Sequence, residues 1–133
     1  MQSILIVTLA LHVLAAVFWA GSTFALARAG GSFAEQLFRP QLGAATVAIL
    51  SGTCLWYLLH ACAFGRTEQV LAIAAGSAVV AFTVQISVGK TLRDLRAKPD
   101  SEVALRRRVA AVQRVTSGLL MVAVIAMAIA RYV

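Results

Sequence analysis

Four apolar runs, each long enough to cross a bilayer, leave this chain few ways to fold. Residues 3–27 and 41–64 carry no charged side chain, and residues 69–91 and 109–130 carry one each, Lys90 and Arg114. Spanning ~30 Å of hydrocarbon takes about 20 apolar residues in a helix. A helix also meets its own backbone hydrogen bonds where there is no water to do so. With 61 % of 133 residues hydrophobic, too little polar surface remains to coat a soluble domain of this size. The expected fold is all-α: a four-transmembrane-helix bundle forming a single domain over 1–133, with helices near 3–27, 41–64, 69–91 and 109–130.

The connections read as breaks between these spans. Residues 28–40 hold a Gly-Gly pair, a short amphipathic piece and Pro40 at the expected start of the second helix. Gly65-Arg66-Thr67-Glu68 is a tight polar turn, and Pro99-Asp100-Ser101-Glu102 ends one helix and can cap the next. Between the last two spans, residues 92–108 are expected to form a basic helical hairpin. Ala25-Leu26-Ala27 resembles a signal-peptide cleavage site. However, no Lys or Arg precedes it and its apolar run exceeds a usual signal core, so residues 3–28 are expected as a retained helix.

Charge sets the expected orientation. Of twelve Lys and Arg residues, ten flank or lie in the connections after the first and third spans; only Arg66 and Arg131 lie on the other side. Basic loops stay cytoplasmic, so loops 1–2 and 3–4 are expected inside, with the N and C termini out. The location that follows is a bacterial-type inner (plasma) membrane, crossed several times. The net charge of +7 does not point to nucleic acid, because the cations flank apolar spans rather than a soluble face. Beside lipid they read as topology signals and as contacts for anionic headgroups. Small residues four apart (Ala48 and Gly52, Ala72 and Gly76, Ala126 and Ala130) favour close helix packing. Such faces leave a homodimer or a larger membrane complex open as assemblies.

Polar side chains within the spans are candidate functional groups, since each needs a partner in hydrocarbon. On the first helix Thr8, His12, Ala15, Trp19 and Ser22 or Thr23 share a stripe. On the second, Thr46, Thr53, Trp56 or Tyr57, and His60 make a similar one. The third is expected to turn Thr83, Ser87 and Lys90 inward, with Gln85 on another face. The fourth offers Gln113, Arg114, Thr116 and Ser117 near its cytoplasmic end. His12 and His60 are the strong metal ligands; their depths of ~14 Å and ~5 Å below the outer surface argue against both reaching one iron. Cys54 and Cys62 are ~12 Å apart along one helix, too far for a disulfide, and read as buried free thiols. Every Asp and Glu falls in a connection or at a helix edge, and no nucleophile–base pair or phosphate-binding loop is evident.

The run Leu11-His12-Val13-Leu14-Ala15-Ala16-Val17-Phe18-Trp19-Ala20-Gly21 resembles a known pattern. It is similar to the opening helix of the CopD-type copper-resistance membrane domain and of the HemJ-type protoporphyrinogen oxidases. Both have a His, a Trp seven residues on and a Gly soon after. Arg28 falls where the HemJ type has an Arg, and Ser51-Gly52 and the Gln113-Arg114-Val115-Thr116-Ser117 stretch are fainter likenesses. The resemblance implies a four-helix CopD-like or HemJ-like membrane protein, with His12 in the place of a haem-associated histidine and haem b or copper as the cofactor. The Lys early in the third helix and the Asn-Glu-x-Pro-Thr signature of the HemJ type are absent, so porphyrinogen oxidation is not expected. The candidate cofactor-binding residues are His12, Trp19, His60 and Arg114, with His12 and His60 as metal ligands. The expected function is non-enzymatic binding of haem b or copper through a buried histidine. The alternatives are a porphyrinogen or quinone-linked membrane oxidase and an accessory subunit of a membrane complex.

Overall fold

A computed structural model describes residues 2–30, 32–60, 65–97 and 101–132, apart from the side chains of His60, Leu95 and Arg96. Four helices make up the fold: α1 (Gln2–Arg28), α2 (Ala34–His60), α3 (Arg66–Ala97) and α4 (Glu102–Ala130). All four are long and apolar enough to cross a membrane. α1 packs mainly on α2 and also on α4, and α3 packs mainly on α4. The seam between α2 and α3 is looser.

Side-chain size is distributed the opposite way from a soluble bundle. Leu14 is 69 % and Leu50 65 % exposed, whereas Ala45, Ala74 and Ala81 are 0 % exposed. Large aliphatic groups lose nothing by facing acyl chains, while small ones let helix backbones meet. Ala48, Ala126 and Ala130 are buried in this way, but Ala72 and Gly76 are exposed, and a Cβ at Gly76 would meet nothing within 4 Å.

The core stacks in tiers. Leu26, Ala34, Val88, Leu92 and Val109 form one tier. Trp19, Ala45, Ala48, Ala81 and Leu120 form the next, and Ala74, Ala123 and Ala126 a third. Leu26 opposite Val109 and Trp19 opposite Leu120 show that α1 and α4 run antiparallel.

α2 begins at Ala34 rather than near Gln41, with Pro40 inside the helix. Proline there removes one backbone hydrogen bond. Against that loss, Leu37 and Phe38 pack onto the first tier. The turn from α1 uses left-handed backbone at Gly30 (φ 65°) and at Phe33 (φ 64°). A non-glycine residue there is held at a cost of about 1 kcal/mol or more. The carbonyl of Phe33 accepts the N–H groups of Gln36 and Leu37, both at 3.1 Å, and so starts α2. At the other connection, α3 continues to Ala97 and α4 starts at Glu102. Ser101 stands at the N-cap of α4 but its side chain makes no capping bond. Arg106 Nε pairs instead with Glu102 Oε1 one turn back, at 2.8 Å.

Within the looser α2–α3 seam, Phe38 of α2 covers Gly89 of α3: a Cβ at Gly89 would stand 2.8 Å from Phe38 Cζ. Gly89→Ala should therefore lower stability in detergent micelles by about 1–3 kcal/mol. Gly76→Ala, whose Cβ would meet nothing within 4 Å, should leave the melting transition unchanged or raise it. Equal behaviour of the two variants would contradict this packing.

Candidate functional site: a polar layer beneath a histidine-lined cavity

Between the first two tiers each helix contributes polar side chains to one layer. Thr23 lies between Leu26 and Trp19, Gln41 between Ala34 and Ala45, Gln85 between Val88 and Ala81, and Gln113 with Thr116 between Val109 and Leu120. All five are buried to 1 % exposure or less. Three helices close a ring of hydrogen bonds here. Trp19 Nε1 donates to Gln85 Oε1, and Gln85 Nε2 donates to Gln41 Oε1 at 2.8 Å. Gln41 Nε2 donates to Ser22 Oγ at 3.1 Å and to Thr23 Oγ1 at 3.4 Å. Both hydroxyls then donate to the Trp19 carbonyl, at 3.2 and 2.7 Å. The ring begins and ends on Trp19. On α4, the side-chain amide of Gln113 and the hydroxyl of Thr116 have no hydrogen-bond partner among the described residues.

This layer corrects the expected inner faces of α2 and α3. Gln85, not Thr83, Ser87 or Lys90, points inward; those three are exposed. Thr46 and Thr53 are exposed too, and Gln41 with Ala45 and Ala48 makes the inner face of α2. The reason is local. Thr46, Thr53 and Thr83 satisfy their hydroxyls on the carbonyl four residues back, at 2.8, 2.8 and 2.9 Å, and so can face lipid. A glutamine amide has two donors and an acceptor and needs other helices to meet them.

Beyond Trp19, on the side away from the first tier, lies a cavity of about 640 Å³. Its walls are apolar apart from His12, Thr53 and the indoles of Trp19 and Trp56. A second cavity of about 500 Å³ lies between α1 and α4, also lined by His12. The imidazole is part-buried. Its Nδ1 lies 2.8 Å from the Ala48 carbonyl of α2 and 3.2 Å from Ser51 Oγ. Ser51 Oγ itself lies 2.6 Å from the Val47 carbonyl, which takes its proton. A carbonyl can only accept, so Nδ1 carries the hydrogen and donates it to Ala48. In the neutral ring Nε2 then keeps its lone pair, and no described residue bonds to it. Gly52 makes room for this placement: a Cβ there would stand 3.0 Å from His12 Cε1 and 3.3 Å from Nδ1.

The other candidates fare differently. Trp19 is 2 % exposed and stands where the cavity meets the polar layer. Arg114 is exposed and lines neither cavity, so it does not join His12. α2 ends at His60, whose side chain, like Cys62, lies outside the described residues. Cys54 is exposed on the outside of α2 rather than buried. No group of three or more His, Cys, Asp or Glu able to hold a metal ion occurs among the described residues. The cavity also brings in Met127 of α4.

Comparison with family models, with curated proteins and with solved structures finds no match.

The ring predicts a specific weakness. Gln85→Leu leaves the Trp19 indole N–H and the Gln41 carbonyl unpaired in a buried site, at about 1–3 kcal/mol for each orphaned group. It should lower the melting temperature and raise the fluorescence signal of a freed Trp19 in a Trp56→Phe background. Thr83→Val, which removes only a bond within α3, should change neither. An unaltered melting temperature in Gln85→Leu would contradict the ring.

Proposed function

We propose that this chain is a multi-pass membrane protein that holds haem b through His12 Nε2, as a cofactor-binding protein rather than an enzyme. The observation that carries this is the His12 geometry: Nδ1–H is committed to the Ala48 carbonyl, which fixes the ring and leaves Nε2 to a ligand. Metal-bound histidines are commonly held by this kind of bond from the other ring nitrogen.

The residues present fit the group. Cofactor sites run to roughly 300–1,000 Å³ and are mostly apolar, as the cavity of about 640 Å³ is. A copper ion would leave most of that space empty, and the Cys54 thiol lies outside it. Ala75, Ala78 and Gly52 keep the walls low, while Trp19 and Trp56 offer flat faces. Arg131, the C-cap of α4, lies four residues beyond Met127, at the end of the bundle where the carboxylates of such a group would meet water. Bound there, haem supplies one-electron chemistry. His12 holds and orients the group, and the apolar walls exclude water.

The charge asymmetry supports placing loops 1–2 and 3–4 in the cytoplasm with both termini out. The basic residues before and after the 3–4 loop suit anionic headgroups, and a bacterial-type inner membrane is part of the same proposal.

A second reading is favoured by the cleft between α1 and α4, through which a lipid-soluble quinol could place a hydroxyl against Nε2. Haem-free protein that binds a quinol analogue in a His12-dependent manner would select it.

Purified protein reconstituted with haem should show a Soret band that disappears in His12→Ala and returns on adding imidazole. Gly52→Ala should weaken haem affinity about tenfold, a shift of ~1.4 kcal/mol. Wild-type protein that shows no Soret band, as isolated or after reconstitution, would refute the proposal.

A further inference from the structure

Both cavities share a wall made by α1 and α4, and two residues on that wall can ligate a metal: His12 and Met127. Their depths match. Trp19 and Leu120 belong to one core tier, and α1 and α4 run antiparallel. His12 lies seven residues before Trp19, and Met127 seven residues after Leu120. Each step is two helical turns toward the same end of the bundle, ~10 Å at 1.5 Å per residue. Seven residues also return each side chain to nearly the same helix face. The imidazole and the thioether therefore stand at one level on neighbouring helices. Met127 packs against Ala74, Ala123 and Ala126 at that level, and with His12 it lines both cavities.

From this juxtaposition, and resting on the haem reading above, we propose that Met127 Sδ is the second axial ligand and that the site is a His–Met haem centre. A thioether is a soft, neutral ligand that favours the reduced metal and raises its potential. Met is unbranched, with three rotatable bonds, and so can bring its sulfur to an iron held by His12. The cleft between α1 and α4 also exposes Met121. Met121 follows Leu120 directly and lies six residues, ~9 Å, from Met127 along α4, which makes it the natural control.

The test is the spectrum of the haem-reconstituted wild-type protein beside Met127→Leu, Met121→Leu and Met127→His. Oxidised wild type and Met121→Leu should show a low-spin iron with the weak far-red sulfur-to-iron charge-transfer band. Met127→Leu should keep its Soret band through His12 but lose the far-red band, turn high-spin and shift to lower potential. Met127→His should return to low spin with a bis-imidazole spectrum, which shows that the position is within reach of the iron. A far-red band unchanged in Met127→Leu would overturn the assignment. So would a wild-type spectrum that is already high-spin, with the haem reading left standing. A wild type without a Soret band overturns both.

Discussion

In hydrocarbon a polar side chain must find its partner within the protein, and this constraint fixes how three of the four helices, α1, α2 and α3, meet. Trp19 and the glutamines of α2 and α3 have more donors and acceptors than one helix can satisfy. They close a ring through Gln85, Gln41 and the Ser22 and Thr23 hydroxyls back to the Trp19 carbonyl. Packing of small residues alone leaves helices free to slide by a turn. A directed ring of this kind admits one register. Once the register is fixed, the tiers on either side follow: the close approach of Phe38 to Gly89 below and the histidine-lined cavity above.

His12 obeys the same constraint in a different way. One ring nitrogen is satisfied by a backbone carbonyl of the next helix, and Gly52 lets the ring lie against α2. A helix carbonyl already accepts one bond within α2 and has a second lone pair to offer. The arrangement thus makes use of an acceptor that every helix carries. It orients the imidazole with the Ser51 hydroxyl beside Nδ1 at 3.2 Å, and no described residue bonds to the other nitrogen. The polar layer gives the cavity its floor through Trp19.

Much of this was legible in the sequence, and the rest was hidden for a physical reason. Four apolar runs announce four helices. The Thr8–His12–Trp19–Thr23 spacing of α1 marks the face that is turned inward, because indole and imidazole cannot be satisfied within their own helix. Thr46, Thr53 and Thr83 misled because a membrane helix needs no polar outer face, and a hydroxyl bonded four residues back is as content in lipid as in a core. The better signal on α3 was the spacing of Ala74, Ala78, Ala81, Gln85, Val88 and Leu92, alternating four and three. It combines small residues with the one amide of that helix interior. Pro40 misled at the start of α2, where burial of Leu37 and Phe38 outweighs one missing hydrogen bond. The levelling of His12 with Met127 could not be read from either helix alone. It depends on which residues share a tier, and that is a property of the assembled bundle.

The central claim is that His12 is held as the Nδ1–H form with Nε2 bare. With two histidines in the chain, nitrogen NMR of ¹⁵N-histidine-labelled protein in lipid nanodiscs, assigned with a His60→Asn variant, measures this directly. The Nδ1 of His12 is expected to carry hydrogen and the Nε2 to be bare, with an Nε2 signal that moves on adding haem. A ring protonated at Nε2 and bare at Nδ1 would contradict it.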